Sequence, residues 1–199
     1  ISSISAWLFR DAAKLTSISI PSSVTSIGTE AFYGTGLTSL VIPDSVTSIG
    51  SKSFYNAPIT SLTLGKSLQA WNTDAFYNIC STLTALEVHS PIIPDSAFRG
   101  CSELSSLTLG NTVNEIHNYA FAGVNSLASL DIPSSMTSIG VNAFSGASSL
   151  TSIAIPDSVT SLGHSAFYGA TSLEVATLGS GISSISAWLF RDAAKLTSI

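Results

Sequence analysis

The chain has 199 residues, a formal net charge of −5 and an isoelectric point near 4.9, and only 10% of its residues are charged. Nucleic-acid binding needs clustered Lys and Arg, so this composition excludes a nucleic-acid partner. Residues 132–156 form the longest uncharged stretch, but Ser, Thr, Gly and Pro interrupt it throughout, so we predict no membrane span.

A repeat with a period of about 23 residues runs along the chain, and a nearly fixed period in this range is the signature of a solenoid. Its copies begin at Leu15, Leu37, Ile59, Leu83, Leu104, Leu127, Leu150, Leu173 and Leu196. In a solenoid each coil packs only against its neighbours. The sequence therefore predicts one elongated domain over residues 1–199 with about eight coils, rather than two globular domains.

The opening segment of each repeat, L-x-x-L-x-I, predicts a strand. In the copy that begins at Leu15, Ile18 and Ile20 are two residues apart, which is the spacing of a strand with one buried face. Pro21 then ends the strand because proline offers no N–H to the ladder. Strands at the same position of successive coils predict a parallel sheet along one face of the solenoid.

The remainder of each repeat is predicted to turn around the core. Val24 and Ile27 are expected to point inward, and Gly28 to supply the backbone freedom of a corner. Ala31 and Phe32 are expected to fill the far side of the coil from a short helical turn. One coil buries too little apolar surface to offset the ordering of its backbone, so stability is expected to belong to the stack.

This pattern resembles the BspA-like leucine-rich repeat family of surface proteins in bacteria and protozoa. The resemblance covers essentially the whole chain and is clearest over residues 15–32, 37–54, 127–144 and 150–167. It implies a leucine-rich-repeat solenoid with a parallel β-sheet on one face, and short turns and helical segments on the other. It also implies an extracellular, non-enzymatic role in adhesion or partner binding.

The repeat that begins at Leu83 departs most from the pattern. It has His89, Ser90 and Pro91 where the other repeats have turn and strand-end residues, and it is the shortest copy. A local irregularity of the solenoid is expected there.

Cys80 and Cys101 occupy the same position in adjacent coils, three residues before the leucines that open the next repeats. Their α carbons are therefore expected about 5 Å apart, within the range of a disulfide. Two interpretations stay open, a pair of buried thiols in a packing ladder and a disulfide. Two cysteines alone supply too few ligands for a metal, so no metal site is predicted.

The titratable residues do not converge on a catalytic site. His89, His117 and His164 occupy three different repeat positions. Asp44 and Asp157 share a register but lie five coils apart, roughly 24 Å at the spacing of a β-ladder, which is too far for an acid–base pair or a shared calcium. We therefore predict no enzymatic activity, no cofactor and no metal.

Two surfaces are candidates for partner binding. The outward positions of the strands are small and nearly neutral apart from Glu87 and Asp131, which suits either a plain solvated sheet or a docking face for another solenoid. A tyrosine stripe follows the buried phenylalanines of three consecutive coils and recurs once later; its members are Tyr33, Tyr55, Tyr77 and Tyr168. Edge packing and partner contact are both compatible with such tyrosines.

Residues 1–18 and 182–199 are identical, so the sequence begins again at Ile182 as it began at Ile1. The identity extends to positions that the repeat leaves free, including Trp7 and Trp188, which join the candidate interaction residues. Two explanations stay open: tandem copies of block 1–181 in one gene, or a repeating fibre in which both copies represent the same segment. Both predict a continuous solenoid longer than this chain.

The first functional hypothesis is a structural protein that forms a long array or filament at or beyond the cell surface, with itself as partner through head-to-tail or lateral contacts. The alternative is a cell-surface adhesin that binds host or extracellular matrix proteins through the strand face or the tyrosine stripe. Ice binding through aligned threonines is a weaker idea, because the series breaks between Thr47 and Thr137.

Overall fold

A computed structural model describes residues 1–72 and 74–199 and shows a solenoid of stacked coils. Each coil has three sides. The long-strand ladder is formed by strands of four residues, the short-strand ladder by strands of two residues, and the turn side by the turns that carry the phenylalanines. The predicted parallel-sheet solenoid of about eight coils is therefore confirmed.

The long-strand ladder is the predicted sheet. Its strands are Ser39–Ile42, Ser61–Leu64, Ala85–Val88, Ser106–Leu109, Ser152–Ile155 and Val175–Leu178. They pair in parallel with equivalent residues opposite each other, so that Leu40 faces Leu62 and Leu62 faces Leu86. Residues 15–20 and 127–132 carry the same pattern but lie outside the strands. In the second of these segments Leu127 and Leu130 are still buried, so the core continues where the ladder does not.

The short-strand ladder was not predicted from the sequence. Its strands are Ser3–Ile4, Ser26–Ile27, Ser48–Ile49, Ala70–Trp71, Ile92–Ile93, Glu115–Ile116, Ser138–Ile139 and Ser161–Leu162. Ile27 was expected to point inward and does so, but two residues are too few for strand alternation to appear in a sequence. These strands add a second row of backbone hydrogen bonds between coils.

Two expectations for the rest of the coil are wrong. Gly28 does not adopt the left-handed conformation; it is needed because a β carbon there would collide with the backbone of Ala6 in the neighbouring coil. The left-handed residue of that turn is Glu30, with φ of 53°. Ala31 and Phe32 are buried as expected, but in turns rather than a helical segment. Within the described residues the one helical element is the 3-10 helix Ile79–Ser81.

A column of phenylalanine rings fills the turn side. Rings of successive coils stack nearly parallel with centroids 5.1 to 5.9 Å apart, as between Phe121 and Phe144. Backbone bonds accompany the rings: the N–H of Phe144 donates to Ala166 O at 2.8 Å. Offset stacking of this kind adds to the burial of the rings, so the turn side is a well-ordered part of the core.

The stack is interrupted on two sides between the coils of Trp71 and Ile93. The short-strand ladder divides there into two separate sheets. The phenylalanine column also divides, and the Trp71 indole lies in the interval, with its ring centroid 5.8 Å from Phe76 and 5.7 Å from Phe98. Only the long-strand ladder continues, through the pairing of Ser61–Leu64 with Ala85–Val88. We call this interruption the break.

The break coincides with an irregular repeat length. From the phenylalanine to the next opening residue is five positions in the coils of Phe32 and Phe54, and six both in the first coil, from Phe9 to Leu15, and in the coils after the break, as from Phe121 to Leu127. The step from Phe76 to Leu83 is seven. Among these steps it is the longest, and the break lies at the junction that it spans. It lies at the boundary of the repeat that begins at Leu83.

Candidate interaction surfaces and the disulfide at the break

The tyrosine stripe is a ring stack on the turn side. Tyr33 and Tyr55 have ring centroids 4.9 Å apart, and Tyr55 and Tyr77 have centroids 5.6 Å apart. The Arg10 guanidinium lies 4.6 Å from the Tyr33 ring centroid and covers that end, while Tyr77 is exposed. Tyr168 occupies the same repeat position but is separated from the stack, because the coils between carry Arg99, Ala122 and Ser145.

The outward side of the long-strand ladder carries mostly small side chains, and an open recess of about 320 Å³ lies between residues 17–20 and strand Ser39–Ile42. Glu87 and Asp131 are both on the strand side but lie two coils apart, in the repeats that begin at Leu83 and Leu127. The carboxylate of Glu87 instead contacts His89, with an Oε1 to Nε2 distance of 2.9 Å. Val41 and Val175 are exposed on this face. Small outward side chains with exposed valines among them are suited to contact with another protein surface.

Trp7 and Trp188 are exposed on the turn side of the first and last coils. Both have left-handed backbone conformations, with φ of 60° and 61°. Arg191 lies over the Trp188 ring at 5.2 Å from its centroid. The identical segments therefore present the same exposed aromatic group at both ends of the stack.

The histidines have separate surroundings. His117 contacts Glu115, with an Nε2 to Oε2 distance of 3.2 Å, and His164 contacts the hydroxyl of Ser165. Across residues 1–72 and 74–199, no three His, Cys, Asp or Glu side chains are grouped closely enough to hold a metal ion. In the same ranges, no helix has the length and apolar character needed to cross a bilayer.

Asp44 and Asp157 have a structural role that the sequence analysis missed. The Lys66 backbone N–H donates to Asp44 Oδ1 at 3.0 Å, and the Ser180 N–H donates to Asp157 Oδ1 at 2.7 Å. Each carboxylate thus bonds to the next coil. The recurring I-P-D-S-V sequence was the available signal, because aspartate after a strand commonly accepts backbone N–H groups.

These bonds predict a specific acid sensitivity. They lower the pKa of Asp44 and of Asp157 below the ordinary value of 3.8. A carboxylate with a lowered folded-state pKa stabilises the fold above its unfolded-state pKa, and this contribution is lost as pH falls through the folded-state pKa. Between about pH 5 and about pH 2, we expect the melting temperature of the Asp44→Asn/Asp157→Asn variant to fall less than that of the wild type. Thermal unfolding followed by circular dichroism measures this difference. The control is Asp131→Asn, and an unchanged acid response in the double variant would contradict the prediction.

A disulfide joins Cys80 and Cys101 across the break, with α carbons 4.1 Å apart. Of the two interpretations that the sequence left open, the structure contains the bonded form. Cys101 is buried and Cys80 is half-buried. The adjacent-coil placement that the repeat register predicted is what brings the two residues together.

An open groove of about 970 Å³ lies beside the disulfide. Asp74, Tyr77 and Cys80 line it from the earlier coil, and Ser96 and Arg99 line it from the later coil. No backbone hydrogen bond joins residues 74–78 to residues 95–100, both of which are fully described. The groove is thus the turn-side opening of the break, and the sequence did not predict it.

Comparisons with known proteins agree with this architecture. A family model described as BspA type leucine rich repeat region, in six copies, matches residues 2–92 and 91–199. A search of curated proteins finds no match.

Three solved structures resemble the chain. A leucine-rich repeat protein from Bacteroides ovatus is 30% identical with a TM-score of 0.78, over 88% of this chain and 46% of that protein. A leucine-rich repeat protein from T. pallidum is 26% identical with a TM-score of 0.64, over 81% of this chain and 68% of that protein. A leucine rich cell surface protein from Faecalibacterium prausnitzii shares the fold at 23% identity and a TM-score of 0.53, over 100% of this chain and 70% of that protein.

This chain spans less than half the length of the Bacteroides protein that it matches. The family match extends over nearly all of its residues, and the strand pairing and the leucine register agree with it. The chain therefore belongs to the BspA-type leucine-rich repeat family.

Proposed function

We propose that the chain is a non-enzymatic repeat scaffold outside the cell, whose coils continue end to end as a long tandem array or filament. The observation that carries this proposal is the identity of residues 1–18 and 182–199, which lie 181 positions apart at the same point of the coil. The exposed fractions of their side chains show which groups a joint between copies would bury. Ile4 is 4% exposed because it pairs with Ile27, whereas its copy Ile185 is 63% exposed. Leu8 is 56% exposed, whereas its copy Leu189 is 2% exposed.

Each identical coil therefore lacks the neighbour that the other one has. A coil with both neighbours would bury the isoleucine on one side and the leucine on the other. Copies of block 1–181 joined in register would contain such a coil at every joint, and nearest-neighbour contacts are the source of stability in solenoids. The identity of residues 1–18 and 182–199 supports block 1–181 as a super-repeat, and the complementary faces name the side chains that end-to-end stacking would bury.

Two observations support a location at the cell surface. The Faecalibacterium protein of the same fold is described as a cell surface protein. The disulfide between Cys80 and Cys101 also suits an oxidising compartment, because disulfides are rare in reducing ones. Few charges and many small hydroxyl side chains on the surface would allow close packing of neighbouring arrays.

Sedimentation velocity and negative-stain electron microscopy of the purified chain test the proposal. We expect rods that grow with protein concentration in steps of roughly 40 Å, the length of eight coils at the ladder spacing. Ile185→Asp places a charge in the proposed joint and is expected to weaken association about tenfold or more. The control Val41→Asp, on the strand face, is expected to leave association unchanged.

Discrete monomers at every concentration would contradict end-to-end stacking. If association is weaker in Val41→Asp and unchanged in Ile185→Asp, the chains contact each other side by side through the strand face instead. Circular dichroism establishes that each variant is folded before its association is compared.

Adhesion remains the second candidate, and the exposed tyrosine stack favours it. Tyr77 continues the stack of Tyr33 and Tyr55 and is open to solvent, and tyrosine is enriched at protein interfaces. If this stack binds a matrix protein, Tyr77→Ser should weaken capture by immobilised extracellular matrix proteins. Tyr168→Ser is the matched control, because it removes the same side chain from the same repeat position outside the stack.

A further inference from the structure

Few links join the two halves of the solenoid at the break. The short-strand ladder stops at Ala70–Trp71 and begins again at Ile92–Ile93. On the turn side, the fully described segments 74–78 and 95–100 share no backbone hydrogen bond, and the groove lies between them. Of the two strand ladders only the long one continues across the junction. On the short-strand side one buried bond crosses it, from the Ser90 hydroxyl to Leu68 O at 2.7 Å, so the halves are joined mainly along one side.

The disulfide lies on the separated side. Cys80 belongs to the long turn that follows Phe76, and Cys101 to the turn that follows Phe98. The covalent bond therefore connects the two turn sides at the junction where their hydrogen bonds and ring stacking stop. Trp71 packs between Phe76 and Phe98 at the same junction.

We propose that the Cys80–Cys101 disulfide is a redox clasp over a hinge within the solenoid. In the oxidised chain the clasp holds the turn sides together and keeps Trp71 buried. In the reduced chain the turn sides separate about the long-strand ladder, which acts as the hinge line. Within the two halves the ladders on each side of the break stay intact, because their inter-coil bonds are independent of the disulfide.

The groove gives a reductant access to the clasp. Cys80 lines the groove and is half-buried, whereas Cys101 is buried, so attack occurs at Cys80 Sγ. A thiolate of a dithiol forms a bond with Cys80 Sγ, and the bond to Cys101 breaks with its electron pair going to Cys101 Sγ. The second thiolate of the dithiol then attacks the dithiol sulfur that is bonded to Cys80. This closes the dithiol's internal disulfide and releases Cys80 as a thiolate. Two protein thiols and one oxidised dithiol result.

Trp71 reports the position of the hinge. In the intact chain carrying Trp7→Phe and Trp188→Phe, Trp71 is the one remaining tryptophan. We expect dithiothreitol to shift its emission to longer wavelength and to raise its quenching by acrylamide. Amide hydrogen exchange in residues 76–82 and 96–101 is expected to become about tenfold faster or more, while residues 138–170 keep their protection. The variant Cys80→Ser/Cys101→Ser should show the long-wavelength emission and the fast exchange without dithiothreitol. Adding dithiothreitol should change neither.

Three results would overturn the proposal. Free thiols detected by mass spectrometry in protein purified under oxidising conditions would show that no clasp exists. Trp71 emission and local exchange that stay unchanged after complete reduction would show that the bond does not control the junction. Loss of protection over the whole chain on reduction would show a bond that supports global stability rather than a hinge.

Discussion

Phe144→Ala is expected to destabilise the solenoid by about 3–5 kcal/mol, the range for truncating a buried phenylalanine. The Phe144 ring is fully buried and stacks on both sides, with centroids 5.3 Å from Phe121 and 5.6 Å from Phe167. Its removal leaves a cavity and also ends two ring contacts at once. Urea unfolding followed by circular dichroism measures the loss.

Phe9→Ala is the matched control for this prediction. It removes the same side chain from the same repeat position, but Phe9 is half-buried and stacks on Phe32 alone, at 5.1 Å. We expect a loss of about 1–2 kcal/mol. Equal losses of unfolding free energy in the two variants would show that stacking on both sides of a ring does not contribute to stability.

Trp71→Ala is expected to have an effect of similar size, about 3–5 kcal/mol, because the buried indole fills the interval between the two runs of phenylalanine rings. Trp188→Ala removes the same side chain from an exposed position and is expected to change stability by about 0.5 kcal/mol or less. Urea unfolding of both variants gives the comparison.

Trp71→Ile sharpens the test. Isoleucine occupies this inward position in most other coils, including Ile27, Ile49 and Ile93. Replacement by the consensus residue usually stabilises a protein. Here we expect the opposite, a loss of about 2 kcal/mol, because isoleucine is too small to reach both phenylalanines across the break. A stabilised Trp71→Ile variant would mean that the indole does not bridge the two halves.

The sequence predicted those parts of the fold that recur in every coil. The leucine register located the long strands, because residues such as Leu40 and Ile42 alternate over four positions and are inward in each copy. The phenylalanine that follows alanine was expected on the far side of the core, and it is buried there. A signal repeated in coil after coil is read more reliably than any single copy.

Features that depend on contact between coils were harder to predict. The need for glycine at position 28 comes from the approach of the Ala6 backbone, which no local pattern shows. The bonds from Asp44 and Asp157 to the next coil likewise depend on the stacking distance. The unequal step from Phe76 to Leu83 was visible in the sequence, but its result, a groove bridged by an indole and a disulfide, depends on how three sides share the mismatch.

The candidate surfaces were predicted in part. Consecutive tyrosines at one repeat position had to lie side by side, and Tyr33, Tyr55 and Tyr77 do. Tyr168 could not join them, since three coils without tyrosine at that position intervene. Whether any of these residues contacts a partner depends on molecules outside the chain, so the experiments on Ile185 and Tyr77 address that question directly.

The repeat lengths set a rule for how such a gene can change in length. The coils of Phe98, Phe121, Phe144 and Phe167 share one step of six positions, so a whole coil copied among them keeps the ring column and the short-strand ladder in step. A copy of the coil that ends with the seven-position step from Phe76 to Leu83 brings a second mismatch. Growth and shrinkage of the molecule by unequal recombination should therefore occur among the coils after the break, and the junction around Trp71 should persist as a fixed marker.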